Sequence, residues 1–468
     1  MLAKKVAANS IYNSSSILIA NISGLIVIIY LAKVLRPESF GVFSLTMAIS
    51  HLVLSLTDLG INQTATRFIA ETYSKENFKL LRGYIKSLSR AKIFLSATVS
   101  IFLFAFSDFF SSLFNLEPVL LKVASIFIFF TSISSFILSI FNAFNDFQAN
   151  FTKSISYEIS RLLLLFFATS AVLAIFIHFL ASLVSTLVLF YLILKKDFLF
   201  GPIEKVDFRR IYRFASYLTL GSISWTVFAY VDSLMIAFFL PLENVGYYRV
   251  AYSVVSAISG IMFIPAVLFP VFVQLEGEDL KRAFKRSFKY SALLAFPSAL
   301  GLISISDQLI FYVFGKDYED SIQPLNILSI LIIISTLNFW GSIFNAKEMP
   351  EYPVYVTFFA MIVNVVLNYI MIPLYGTNGA AIATVLSNLF SWILLAYLSK
   401  RIFGVFFELE HVLKPLTASI LMFLVLKYLS FGLLLTIVFG ILTYFSIILA
   451  IKGLRKEDYL FMKVVFSR

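Results

Sequence analysis

Apolar runs of about 20 residues recur along nearly the whole of this chain, separated by connections of under about twenty residues. Each run is long enough to cross a hydrocarbon layer roughly 30 Å thick. A backbone in lipid must satisfy its own polar groups, so runs of this length are helices. A membrane β-barrel would instead alternate apolar and polar residues in segments of about 10, and this sequence does not. Of the 468 residues 60% are hydrophobic and 13% charged, with a mean hydropathy of +0.92. No soluble interior of this size hides that much apolar side chain. The sequence therefore specifies an all-α polytopic membrane protein.

The periodicity predicts fourteen helices, over 12–34, 41–63, 83–107, 119–143, 155–173, 175–194, 211–239, 245–273, 285–305, 323–346, 353–373, 378–399, 412–429 and 432–451. Merging the fifth and sixth, which only His178 and Ser182 interrupt, would make thirteen. Lys4 and Lys5 precede the first run as in a signal peptide, but no small-residue cleavage site follows, so the run is read as an uncleaved helix. With the N-terminus inside, about 31 of the Lys and Arg fall on the cytoplasmic side and 6 outside: Lys33, Arg36, Lys122, Arg249, Lys316 and Lys427. That asymmetry predicts a cell-membrane protein with both termini cytoplasmic, and it explains the net charge of +11 without nucleic acid. There is no cysteine, hence no disulfide and no thiolate metal site.

One stretch occurs twice. Leu35-Arg-Pro-Glu-Ser-Phe-Gly-Val-Phe-Ser-Leu45 is echoed by Leu240-Pro-Leu-Glu-Asn-Val-Gly-Tyr-Tyr-Arg-Val250. Proline and an acidic residue suit a helix start, and Gly41 and Gly246 permit close approach to a neighbour. Lys86-Ser87-Leu88 is matched by Arg286-Ser287-Phe288, and Ser139-Ile-Phe-Asn-Ala143 returns unchanged as Ser342-Ile-Phe-Asn-Ala346. Three echoes in order, offset by 200 to 205 residues, indicate two homologous six-helix lobes, 1–200 and 201–405, followed by two additional helices and a tail over 406–468. Repeated bundles of this kind imply a transporter, with its site near the interface of the halves and alternating access.

The chain has no ATP-cradling G-x-x-x-x-G-K-[ST], its three histidines are scattered, and its loops are too short to hold an acceptor substrate. An enzyme and a bound cofactor are not expected. The informative residues are charges within apolar runs, each costing roughly 2.5–3.5 kcal/mol at a helix centre. Asp232 is either a coupling or sugar-binding carboxylate or a structural one, and Trp225 and Tyr230 share its run. Glu158 and Arg161, at i, i+3, either neutralise each other or leave Arg161 to hold an anionic head group. Arg82, Lys86 and Arg90 form a stripe that is either a set of interfacial anchors or a basic gate, echoed by Arg282 and Arg286. Asp58 and Arg67 flank Leu59-Gly60 where the second helix leaves the membrane, and Asp58 is either paired to a nearby cation there or a functional carboxylate. Asn13, Ser14, Ser15, Ser16 and Asn21 on the first helix, and Asn364 and Asn368 on the eleventh, are either interhelical hydrogen bonds or cavity lining. Trp225, Trp340 and Trp392 are sugar-stacking surfaces or interfacial anchors.

The corner motifs, the Asp58-Leu-Gly turn with Thr66-Arg-Phe-Ile-Ala70, and Gly376-Thr-Asn-Gly-Ala-Ala-Ile-Ala-Thr384 together resemble the polysaccharide-exporter family, the O-antigen or lipid-linked oligosaccharide flippases. That family belongs to the multidrug/oligosaccharidyl-lipid/polysaccharide superfamily, with the MATE antiporters and the lipid II flippase. The resemblance implies a MATE-like architecture and the transfer of polyprenyl-diphosphate-linked oligosaccharide to the outer leaflet. The energy source would be an ion gradient or membrane potential, with Na⁺ or H⁺ as coupling cation. By position, Arg161, Arg90 and Arg67 become candidates for the diphosphate or acidic sugars, with Lys86, Glu158, Asp58, Asn21, Trp225 and Tyr230 as cavity residues, and Asp232 for coupling. The implied partners are membrane lipids, the glycan substrate and a polysaccharide polymerase or glycosyltransferases, with the chain itself a monomer. The alternative is a cation-coupled exporter of small organic molecules. MATE drug antiporters usually carry an acidic residue in the first helix and lipid II flippases arginines there; residues 12–34 have neither an acidic residue nor an arginine.

Overall fold

The computed structural model describes residues 2–196, 199, 201–206, 208–262, 272–428 and 432–454. Within them the chain is built almost wholly of helices. In the N-terminal part these are α1 (Leu2–Leu56), α2 (Ile61–Ser74), α3 (Phe78–Ala105), the short α4 (Ser107–Ser112), α5 (Pro118–Ala143), α6 (Gln148–Leu164), α7 (Ala171–Leu194), α8 (Phe208–Phe239) and α9 (Leu242–Ile261). There follow α10 (Gly277–Val313), the short α11 (Ile322–Leu328), α12 (Ile330–Thr336) and α13 (Trp340–Ala346), then α14 (Glu351–Phe403), α15 (Glu410–Tyr428) and α16 (Leu433–Ala450). Among the described residues nine helices are long and apolar enough to cross a membrane, or ten if the bent pair Lys316–Leu328 and Ile330–Ala346 is one span.

Two of the nine are far longer than a single crossing needs, and each is broken. Arg36 interrupts α1 with φ 61° and ψ 171°, immediately before Pro37, and Gly376 interrupts α14 with φ 60° and ψ −139°. These breaks fall where the sequence predicts separate helices. Other expected boundaries move. The helix predicted over 41–63 stops at Leu56, because Leu59 and Gly60 both take positive φ and α2 starts afresh. The helix predicted over 155–173 runs from Gln148 to Leu164, then a 3₁₀ turn, and Ser170 caps α7 by accepting from the Leu173 amide, so the fifth and sixth helices are separate. The end of the expected helix 245–273, and the tail beyond residue 454, lie outside the described residues.

The chain divides into two compact units, Met1–Arg249 with Met361–Thr377, and Val250–Ala360 with Asn378–Arg468. In the first unit Phe68, Leu81, Tyr84, Phe136 and Ile140 form a buried core, with Phe68 and Tyr84 stacked at 5.2 Å. The two copies of the corner meet in this unit. A Cβ added to Gly41 would lie 1.9 Å from the Leu242 carbonyl oxygen, and one on Gly246 would lie 2.5 Å from that of Pro37. The glycines predicted to admit a neighbour therefore admit each other's helix start.

In the second unit the core is aromatic, with Trp340 packed 4.5 Å from Phe284 and fully buried beside Phe288, Phe339 and Phe344. Trp340 is thus a packing residue, neither a sugar-stacking surface nor an interfacial anchor. The repeated Ser-Ile-Phe-Asn-Ala has the same local structure twice. Each copy ends a helix, at Ala143 and Ala346, and each is followed two residues on by a left-handed residue, Asn145 (φ 54°) and Glu348 (φ 57°).

Candidate substrate and coupling sites

Three buried polar clusters lie in the first unit, and each arises from a local sequence rule. The first is at the break after α1. Ending the helix at Leu56 leaves carbonyls without intrahelical donors and the first amides of α2 without acceptors. Asp58 serves α2: its Oδ1 accepts from the Asn62 amide at 3.0 Å. Lys92 serves α1, with Nζ donating to the Thr57 carbonyl at 2.9 Å and standing 3.4 Å from Asp58 Oδ1. The Lys92 side chain is 1% exposed. Beside it the hydroxyls of Thr57, Ser132 and Ser96 form a row with 2.7 Å spacings. This group borders a cavity of about 270 Å³ whose other walls include Asn62, Ser135, Trp225 and a His51–Tyr230 stack with centroids 4.8 Å apart. Arg249 lies over the Tyr230 ring at 5.7 Å.

The second cluster joins α1 to α6. Glu158 Oε2 accepts from the Ser23 hydroxyl at 2.6 Å and pairs with Arg161, whose Nη2 also reaches Ser23 Oγ at 3.3 Å. Glu158 and Arg161 are 6% and 8% exposed, deep enough that neither charge is tolerable alone. Arg161 stacks over Tyr157 at 5.3 Å, and its Nε is buried without an acceptor among the described residues. The i, i+3 pairing expected of these residues is present, and Arg161 still keeps one donor to spare.

The third cluster holds Asp232. Its Oδ2 accepts from the Tyr248 hydroxyl and its Oδ1 from Asn368 Nδ2, both at 2.6 Å. Asn368 Nδ2 also donates to Asn364 Oδ1 at 3.1 Å, as the i, i+4 spacing on α14 allows. Both asparagines are fully buried, and Asn368 Oδ1 has no hydrogen-bond donor among the described residues. Asp232, Asn364 and Asn368 thus present several carboxylate and amide oxygens together, one of them unsatisfied.

The remaining candidates are placed differently. Arg67, Lys86 and Arg90 are exposed, Arg67 lying 5.9 Å from the Phe68 ring centroid. Asn21 is half-buried, and the bonding on that stretch of α1 belongs to Ser23. Trp225 is 65% exposed and borders the 270 Å³ cavity. Lys92 was not singled out in the sequence because the stripe Arg82, Lys86, Arg90 draws attention to another face of α3. Two residues further is about 200° around a helix. The signal for it is Lys92, Ser96 and Ser100 at i, i+4, i+8, all three buried.

In the second unit α10, α15 and α16 enclose an apolar cavity of about 420 Å³, bordered by Leu293, Pro297, Gly301, Met422, Gly440 and Tyr444. Lys285 Nζ on α10 bonds Glu408, on the connection between α14 and α15, at 2.8 Å and holds its carboxyl below the usual range.

The family model described as polysaccharide biosynthesis protein matches residues 6–276. A probable low-salt glycan biosynthesis flippase of Haloferax volcanii is 26% identical over 54% of this chain and 56% of its own length. A putative O-antigen transporter of Shigella flexneri is 24% identical over 86% of this chain and 99% of its own. Among solved structures, a lipid II flippase in an inward closed conformation superposes with a TM-score of 0.79 at 18% identity, covering 95% of this chain and 99% of the other, which shows a shared fold.

Proposed function

The chain belongs to the polysaccharide biosynthesis protein family, and from that premise we propose that it carries polyprenyl-diphosphate-linked oligosaccharide from the cytoplasmic to the outer leaflet of a cell membrane by alternating access. The observation that carries this reading is the buried Glu158–Arg161–Ser23 cluster. Charges inside an apolar bundle are costly, and where they persist they line paths for polar cargo. Arg161 is held ready by Glu158 with Nε unused, and a guanidinium suits phosphate oxygens in a bidentate fork. A diphosphate arriving there would share the cation with Glu158, while the polyprenyl tail stays among lipids. The names of the glycan biosynthesis flippase and O-antigen transporter relatives support a glycan cargo.

The drive is an ion gradient or the membrane potential, with Asp232 as the coupling carboxylate. Na⁺ is an oxygen-seeking cation, and Asp232, Asn364 and Asn368 would hold it through oxygens, the unsatisfied Asn368 Oδ1 among them. H⁺ would sit on Asp232 itself. Both termini face the cytoplasm, the protein acts as a monomer, and a polysaccharide polymerase or glycosyltransferases would supply or consume the glycan. The alternative, a cation-coupled exporter of small organic molecules, finds no acidic residue within residues 12–34 to support it.

The test is surface glycan in cells. The charge-free double variant Glu158→Gln/Arg161→Gln should reach the membrane at wild-type levels yet export roughly tenfold less glycan or below, the loss of one charge-assisted contact or more, and Arg161→Ala should show the same loss per molecule that reaches the membrane. Wild-type surface glycan from the double variant would remove Arg161 from the substrate path.

A further inference from the structure

On the reading that the cargo is a lipid-linked glycan, we infer that the Asp58–Lys92 cavity binds an anionic sugar ring, with Lys92 exchanging Asp58 for the ligand's carboxylate or phosphate. The ion pair is built unevenly. Asp58 has a second partner, the Asn62 amide in the first turn of α2, at 3.0 Å. A helix start suits a carboxylate whether or not a lysine is near. Among the described residues Lys92 bonds Asp58 and the Thr57 carbonyl, and its 3.4 Å separation from Asp58 is long beside the roughly 2.7–2.9 Å of a strong charge-assisted bond. Releasing Lys92 therefore strands no carboxylate, and an incoming anion offers it a closer bond. A flexible four-carbon stem permits the change of partner.

The rest of the cavity fits a ring. Trp225 and the His51–Tyr230 stack are flat ring faces, and beside them the Asn62 side chain, whose Nδ2 donates to Ser135 Oγ at 3.3 Å, has an Oδ1 with no donor among the described residues to meet a sugar hydroxyl. A volume of about 270 Å³ falls just below the roughly 300–1,000 Å³ of drug-sized ligand sites, which suits one monosaccharide better than an oligosaccharide. Lys92 thus acts as a charge filter on one sugar of the head group, separate from the diphosphate contact assigned to Arg161.

Saturation-transfer NMR on the full chain in detergent, with glucuronate, glucose 1-phosphate and glucose as probes, tests this. At least one anionic sugar should bind about tenfold more tightly than glucose, and the two anions show which group is preferred. Lys92→Gln should abolish the preference and Lys92→Arg should keep it. Asp58→Asn should raise anion affinity several-fold by freeing Lys92, an outcome a purely structural ion pair would not give. Equal binding of glucose, no binding of any probe by the folded wild type, or weaker anion binding by Asp58→Asn overturns the inference. Flipping of a neutral lipid-linked sugar by the wild type is measured alongside. Flipping without anion preference removes this inference alone, whereas anion preference without flipping removes the transport reading and leaves the sugar site standing.

Discussion

Glu158, Arg161, Asp232 and Lys92 each expose less than a tenth of their surface within their helices. Each has a neighbour that makes burial tolerable. For Glu158 and Arg161 that neighbour was legible, because i, i+3 spacing puts them on one helical face whatever the rest of the fold does. For Asp232 it was not: Tyr248 lies on the next helix and Asn368 is 136 residues away. Lys92 was hidden for a related reason, since its partner is a carbonyl that exists only because α1 stops at Leu56. A stability prediction belongs at this scale. Arg161→Met leaves a buried carboxylate and should cost about 3–5 kcal/mol, whereas Glu158→Gln/Arg161→Met removes both charges and should recover most of that loss. Thermal unfolding in detergent measures both, and a double variant less stable than the single would show that the pair holds the bundle together.

Helix ends follow rules that the sequence shows only in part. Proline after Arg36, and glycine at 60 and 376, mark interruptions that the structure contains. The stop at Leu56 was missed because Leu59 and Ile61 resume the apolar pattern after Thr57 and Asp58, and backbone geometry is what reveals that Leu59 is left-handed. The corner repeat was legible as a pair of helix starts, but not as two surfaces touching each other. That contact sets a steric prediction. Gly41→Ala places its Cβ 1.9 Å from the Leu242 carbonyl oxygen and should destabilise the protein or displace α9, while Gly24→Ala meets nothing within 4 Å among the described residues. Gly24→Ala should be neutral or stabilising by up to about 1 kcal/mol, as glycine is a poor interior helix residue. Comparing the two melting temperatures checks both; equal values would mean that the corners do not pack as described.

Across the whole molecule, hydropathy alone was enough to identify a polytopic helical membrane protein, because lipid leaves the backbone few alternatives. The echoes at 139–143 and 342–346 were enough to suggest duplication, and both copies end a helix in the same way. What the apolar majority of the sequence could not specify is which minority charges share a cluster, since that depends on helix rotation and on where helices break. The central claim is that these clusters serve movement of a glycan lipid powered by an ion gradient or membrane potential. Proteoliposomes holding the purified chain and a fluorescent polyprenyl-diphosphate disaccharide test it most directly, through the fraction of label reached by a membrane-impermeant quencher. With no nucleotide present, imposing a Na⁺ or H⁺ gradient or a membrane potential should shift that fraction well beyond its value in protein-free vesicles, and Asp232→Asn should abolish the response to the gradient. A fraction indistinguishable from protein-free vesicles under every gradient and potential, with folded protein in the bilayer, would contradict it.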